Sequence, residues 1–318
     1  MFRADQPINT HTEDLLSRHS FAKALAKAIL SYELDDTISV GLFGEWGSGK
    51  TSLINLTLEE IKSLSQQKEP FIIKFNPWNF SDQNQLIQQF FNELSLVLRR
   101  DDSAEKYVKI GGAIQKYARF FEPFDYVPTV SLIGKIAKAI NDVGRAAEKA
   151  GEESLKNLSA VKSELNIILR DIDTKIIIVI DDIDRLNNTE IRQIFQLVKS
   201  LADFPKTIYL LSFDKDVVIN ALKKVQEGSG NDYLEKVIQV PFEIPQISKQ
   251  EVEHFLFKKL DELIKDIPER QWDHTYWGNI YHSGLKHLFH NIRDVNRYLN
   301  TLSFGFSLVK DEVNPIDF

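Results

Sequence analysis

Residues 38–64 constrain this chain more than any other stretch. Ile38 to Phe43 is a short apolar run, Gly44-Glu-Trp-Gly-Ser-Gly-Lys-Thr51 follows at once, and Ser52 to Leu64 carries helical apolar spacing. The order is strand, glycine-rich turn, helix. The turn fits G-x-x-x-x-G-K-[ST], in which glycines let backbone N–H groups face inward onto phosphate oxygens. A helix beginning near Lys50 adds the positive end of its dipole. Gly44, Glu45, Trp46, Gly47, Ser48, Gly49, Lys50, Thr51 and Ser52 are therefore the candidate phosphate-binding residues. Lys50 would reach the β- and γ-phosphates, and the Thr51 hydroxyl would ligate Mg²⁺. A glycine turn ahead of an ordinary helix is the competing reading, and the strand-to-helix setting weighs against it.

Such a loop needs a carboxylate at the end of a neighbouring strand. Ile176 to Ile180 is five apolar residues in a row, closed by Asp181-Asp182. Asp181 is the expected metal partner. Asp182 stands where an adjacent acid would polarise the attacking water as general base. Alone, the two acids read equally well as a strand end that caps the next helix. Beside the glycine loop they point to nucleotide binding.

The rest of the chain alternates. Strands are expected at Phe71 to Phe75, Lys175 to Ile180, Thr207 to Phe213 and Lys236 to Ile244, where Pro241 points to an edge or a bulge. Helices are expected over 12–32, 84–98, 155–170, 189–201, 249–267, 276–290 and 291–308. Alternating strands and helices give an α/β fold with a parallel sheet covered on both faces. Residues 1–245 form the expected core, with a mostly helical insertion at about 100–160, and 246–318 an all-helical second part.

Composition narrows the partners. The 318 residues carry 39 basic and 46 acidic side chains, a formal charge of −7, so a broad nucleic-acid footprint is disfavoured though a local basic patch stays open. There is no cysteine, hence no disulfide, thiolate nucleophile or Cys-ligated zinc. The most membrane-like stretch, Val127 to Ala147, is interrupted by Lys135, Lys138, Asp142 and Arg145. A spanning helix needs about 20 mostly apolar residues, so no membrane span is expected and a cytoplasmic location is the default.

Several stretches together resemble the KAP family of P-loop NTPases, a branch related to the AAA+ and STAND proteins. They are Gly44 to Thr51 with its internal Trp46, Phe75-Asn-Pro-Trp-Asn-Phe80, Ile180-Asp-Asp-Ile-Asp-Arg-Leu186, Ser212-Phe-Asp214 and Asn291-Ile-Arg-Asp-Val-Asn-Arg297. The opening Asp5 to Arg18 is similar to the family's lead-in segment. The resemblance implies a three-layer sandwich around a five-stranded sheet in the order 5-1-4-3-2, with a C-terminal helical lid. It implies ATP and Mg²⁺ as ligands. Ser212 or Asp214 would sense the γ-phosphate, and Arg293 would act from the lid as a second sensor, with Arg297 four residues on. The segment around Arg18 would pack near the adenine.

Further expectations follow from the resemblance. Many members carry transmembrane helices between the two nucleotide motifs, and the insertion here is too charged to span. Hydrolysis would move the lid or change assembly, as a homo-oligomer or with a partner protein. An arginine from a neighbouring subunit is a candidate addition to the site, supplied by Arg185 or Arg192. The alternative is a nucleotide-gated protein-interaction module with little turnover. The chain stops soon after the lid, at Val313 to Phe318, so effector action is expected from a partner or from further chain. The family includes bacterial proteins connected with phage exclusion. Read from the residues alone, Trp78 is expected as a buried anchor of its turn in preference to a contact with the insertion or a partner, and Phe120, Phe121 and Phe124 as docking the insertion onto the sheet in preference to an exposed partner surface.

Overall fold

The computed structural model describes residues 6–33, 35–65, 68–80, 83–99, 105–121, 145–225, 229–265, 267–309 and 312–317. Contacts divide the chain into two compact units. One comprises Ile29–Phe43 and Lys62–Glu243 and holds the sheet; the other comprises the chain up to Ala28, Gly44–Ile61 and everything from Ile244.

The sheet has five parallel strands: β1 (Ile38–Phe43), β2 (Phe71–Phe75), β3 (Ile176–Ile180), β4 (Thr207–Phe213) and β5 (Val240–Glu243). Their order is β2-β3-β4-β1-β5, which is 5-1-4-3-2 read from the other edge. Both faces are covered, because every residue of β3 and β4 is buried whichever way it points. Such strands read as continuous apolar runs rather than alternating ones. The register sets Phe43 opposite Phe213 and Ile180 opposite Leu211, so β1, β3 and β4 finish along one edge. Pro241 lies in edge strand β5, opposite Gly41, the kind of strand to which proline is confined within sheets.

One face of the sheet packs a large aromatic core. Phe90, Phe91 and Leu94 of α3 (Gln83–Arg99) meet Ile114 and Tyr117 of α4 (Glu105–Ala118) and Leu165 and Leu169 of α5 (Arg145–Arg170). Phe121 stacks on Phe91 with ring centroids 5.4 Å apart. The described part of the insertion is thus helical and docked by Phe121, with Phe120 partly buried beside it. Phe124 and most of the 127–147 stretch lie outside the described residues.

Helix ends in this unit are closed by side chains from elsewhere. Helix α6 (Asn188–Gln196) runs on into a π turn at Leu197–Leu201. The last carbonyls of a helix have no partner within it. Here Lys162 Nζ donates to the Ser200 carbonyl, Tyr117 Oη to that of Leu201 and Tyr209 Oη to that of Ala202. Lys206 Nζ likewise bonds the Arg170 and Ile172 carbonyls at the end of α5. Lysines at helix C-termini also meet the negative end of the dipole.

Where periodicity set the boundaries, the structure moves several of them. The helix expected over 12–32 is a 3-10 turn at His11–Glu13 and then α1 (His19–Ser31). Helices α7 (Lys215–Val225) and α8 (Gly230–Val237) stand between β4 and β5, so the fifth strand begins at Val240 and not at Lys236. The helix expected over 276–290 is α10 (His274–Ser283), stopped at Gly284.

In the other unit, α2 (Lys50–Leu64) follows the glycine turn. A small C-terminal core joins Val252, Leu256 and Leu260 of α9 (Lys249–Ile264), Tyr281 of α10 and Val295, Leu299 and Leu302 of α11 (Ile292–Val309).

Candidate functional site

β1 hands the chain to the Gly44–Thr51 turn without an intervening residue. Gly47 and Gly49 have φ of 85° and 86°, the left-handed region that L side chains rarely enter. A Cβ on Gly44 would fall 2.5 Å from Ser48 Oγ, so that hydroxyl would have to turn away. Ser48 N–H donates to the Glu45 carbonyl. Lys50 is the first residue of α2, and its ammonium crosses the turn to the Gly44 carbonyl at 2.8 Å and the Glu45 carbonyl at 3.2 Å. The lysine thus holds the loop's shape from within.

The N-terminal segment lies along α2. Ile8 N–H donates to Ser52 Oγ, Asn55 Nδ2 to the Ile8 carbonyl, and His11 N–H to Glu59. Ser52, expected among the phosphate-binding residues, has its hydroxyl on this segment. Arg18 is 7% exposed and donates from Nη1 to the Ser48 carbonyl and from Nη2 to that of Pro245.

The C-terminal helices reach the same turn. Asn291 accepts the Asp294 N–H at the start of α11, and its side chain stands 3.4 Å from where a Cβ on Gly47 would be. Two residues later the Arg293 guanidinium lies over the Trp46 ring, 4.3 Å from its centroid. Arg293 is therefore brought to the loop, while Arg297 is exposed.

The carboxylates follow β3. Asp182 adopts φ 58° and ψ 29°, a left-handed conformation that aspartate tolerates better than most residues but at some strain. Its N–H donates to Asp181 Oδ1. Asn76 Nδ2 donates to Asp182 Oδ2 at 3.3 Å, and Arg185 pairs with Asp182 Oδ1 at 2.9 Å. Burial, then the neighbouring Asp181 charge, raises the Asp182 pKa above the usual carboxylate value, while Arg185 and Asn76 pull it back. The Asn76-Pro77-Trp78 turn and the Asp181-Asp182 segment are one hydrogen-bonded cluster, a link that no spacing in the sequence reveals.

Trp78 corrects an expectation. It is 54% exposed, not a buried anchor, and Arg185 lies 5.7 Å from its ring centroid. The turn is held instead by Asn76, whose side chain accepts the Trp78 N–H, and by buried Pro77. Arg185 is thus engaged within its own chain, and Arg192 Nη1 donates to the Val225 carbonyl. Asp214 caps α7 by accepting the N–H groups of Asp216 and Val217. Ser212 Oγ is buried on β4 without a hydrogen-bond partner.

These residues suit a nucleotide with a hard cation. The glycine turn is a cradle that a Cβ would fill, and Ser48 Oγ is buried there without a hydrogen-bond partner. A threonine hydroxyl and an aspartate offer oxygen ligands of the kind Mg²⁺ takes alongside phosphates. Among the described residues no group of three or more histidines or acids stands together as a metal cage.

A family model described as the KAP family P-loop domain matches residues 18–309. The phage T7 exclusion protein of Escherichia coli (strain K12) is 24% identical over 335 residues, covering 97% of this chain. The chain spans 44% of that relative's length. Among solved structures, the Aeropyrum pernix ORC1 protein in complex with DNA gives a TM-score of 0.46 at 13% identity, over 95% of this chain and 62% of its own. The Cdc6p protein of Pyrobaculum aerophilum gives 0.46 at 14%, over 93% and 63%.

Proposed function

Because the chain belongs to the KAP family of P-loop domains, a family of nucleotide binders, we propose that it hydrolyses ATP with Mg²⁺. One observation supports this most. Along a single edge of the parallel sheet, β1 opens into a glycine turn with Lys50 at a helix start, and β3 opens into Asp181-Asp182. Parallel α/β sheets bind ligands at the carboxyl ends of their strands.

Each residue then has a role. The N–H groups of Gly44 to Ser52 and the Lys50 ammonium bind the phosphates. Thr51 and Asp181 would hold Mg²⁺, and the ion would supply positive charge for phosphoryl transfer. Asp182 orients and deprotonates water, and Arg293 steadies charge on the transferring group. Ser212, with its hydroxyl unengaged, suits the γ-phosphate sensor on β4; Asp214 is committed to its helix cap and serves the site by fixing that strand end. Catalysis is chiefly positioning and charge stabilisation.

Phosphate release from ATP and from GTP, measured across protein concentration, tests the reading and any dependence on assembly. No release from either at any concentration would sink it.

A second reading has its own observation. Both Asp182 oxygens are engaged, by Asn76 and Arg185, which favours a nucleotide-gated interaction module with slow turnover. A partner protein or self-association would then set the rate. Nucleic acid is disfavoured by the charge of −7, and unchanged turnover on adding DNA at low salt would count against it further. The likeness to a phage exclusion protein makes restriction of phage growth the first biological setting to examine. Among the described residues no helix is long and apolar enough to cross a membrane.

A further inference from the structure

Arg18 lies outside every motif that carries the proposed chemistry, yet it is among the most deliberately placed side chains in its unit. The turn that delivers it is built for the purpose. Asp14 accepts the N–H groups of Leu16 and His19 on its two oxygens, and Ser17 between them sits at φ 54°, a strained left-handed position for serine. Burial lowers the Arg18 pKa, and Asp14 and Glu251 raise it in part. An arginine stays charged regardless. A buried cation is costly unless it is hydrogen-bonded, and two backbone carbonyls 197 residues apart in sequence, Ser48 and Pro245, supply that compensation at 2.5 and 2.7 Å.

The identity of those carbonyls carries the inference. In a planar trans peptide the C=O and the following N–H point opposite ways. With the Ser48 carbonyl drawn to Arg18, the Gly49 N–H faces away from the arginine, and Gly49 at φ 86° packs close enough that an added Cβ would lie 3.0 Å from Nη1. Fixing one end of this peptide fixes the other. The second bond falls on Pro245, three residues before Ser248 caps α9. Pro245 and Ile247 line a cavity of 390 Å³ together with Leu16, Ser17 and Phe21. Pro245 itself is exposed beside this space, while Ile247 packs against the small C-terminal core, so the segment that carries the Pro245 carbonyl is tied to those helices.

We propose that Arg18 is a positioning residue: it sets the Ser48–Gly49 peptide for phosphate and transmits the state of that peptide to Pro245 and the C-terminal helices. The proposal rests on the nucleotide reading above. A guanidinium can serve both carbonyls at once from a rigid fork; an ammonium is a point charge without that geometry.

The test is hydrogen exchange on the full chain with and without Mg²⁺ and a non-hydrolysable ATP analogue. In the unsubstituted chain the analogue should protect both 44–53 and 244–256. Arg18→Gln should weaken analogue binding roughly 10-fold or more, the loss of a charge-assisted bond, and should abolish protection at 244–256 even when the analogue is saturating. Arg18→Lys should recover part of the affinity but not that distant protection. If Arg18→Gln does not fold, Arg18→Lys decides alone, and wild-type protection at 244–256 in it overturns the proposal. Wild-type affinity and protection in both variants overturn it as well. An unsubstituted chain that bound no analogue would sink the nucleotide reading, and this proposal with it; binding in the parent matched by both variants sinks only the proposal.

Discussion

Arg293 at the start of α11 lies face-on to Trp46 in the glycine turn, its guanidinium 4.3 Å from the ring centroid. The indole is 61% exposed despite this contact, so its role is not that of a core residue. A cation over an indole is worth about 0.5–2 kcal/mol. If Trp46 keeps Arg293 at the loop, Trp46→Ala should lower kcat/KM for ATP by roughly 2- to 30-fold, and Trp46→Phe should keep most of it. A double-mutant cycle with Arg293→Ala measures the coupling directly. Additive losses would show that the two side chains touch without cooperating.

Lys50 makes the sharpest prediction about binding. Its ammonium spans the turn to two carbonyls and is the one side-chain cation within the loop. Lys50→Ala removes both the loop brace and the charge proposed to meet the β- and γ-phosphates. Nucleotide binding by calorimetry should fall below detection while the far-ultraviolet circular dichroism stays that of the parent. Retained micromolar binding would refute the assignment.

Asp182 separates binding from chemistry. Asp182→Asn keeps the size, but its single carbonyl oxygen can accept from only one of Asn76 and Arg185, and it offers no carboxylate to take a proton. Binding should stay within a few-fold of the parent, and phosphate release should drop by about 10²-fold or more, the usual scale for a general base. Release at the parent rate would mean that another group orients water.

The sheet was legible from five residue runs because buried parallel strands read as unbroken apolar stretches, and Ile176 to Ile180 is the clearest of them. The glycine turn was legible because only glycine satisfies Gly47 and Gly49. The boundaries around β5 were not: Tyr233, Leu234 and Val237 pack at helical spacing, and an apolar run leading into Val240 looks alike in either structure. The partnerships of Arg18 and Asn76 were invisible for a different reason. Arg18 bonds backbone carbonyls, which leave no mark on composition, and Asn76 meets Asp182 across 106 residues. Trp78 misled because a tryptophan beside a proline reads as packing, whereas here it stacks on an exposed arginine.

The tyrosines that close the α6 end give a prediction on stability. Tyr209 is fully buried, with its hydroxyl 2.7 Å from the Ala202 carbonyl, and Tyr117 reaches the Leu201 carbonyl at 2.9 Å. Burial raises both phenol pKa values above the ordinary value, with the Asp203 charge adding to it. A raised pKa in the fold means that the neutral phenol is preferred there. Its contribution is therefore complete below the unfolded value of about 10, and is lost as the pH climbs from there towards the folded value. Tyr209→Phe takes one of two donors from the Ala202 carbonyl, which keeps the Phe204 N–H, at a cost of about 0.5–1.5 kcal/mol. Urea unfolding at neutral pH should show that loss as a lower midpoint with an unchanged slope. Between pH 10 and 11 the gap between parent and variant should narrow, because the parent alone must keep this phenol protonated. A gap that stayed constant over that range would mean that the Tyr209 hydroxyl does not hold the helix end.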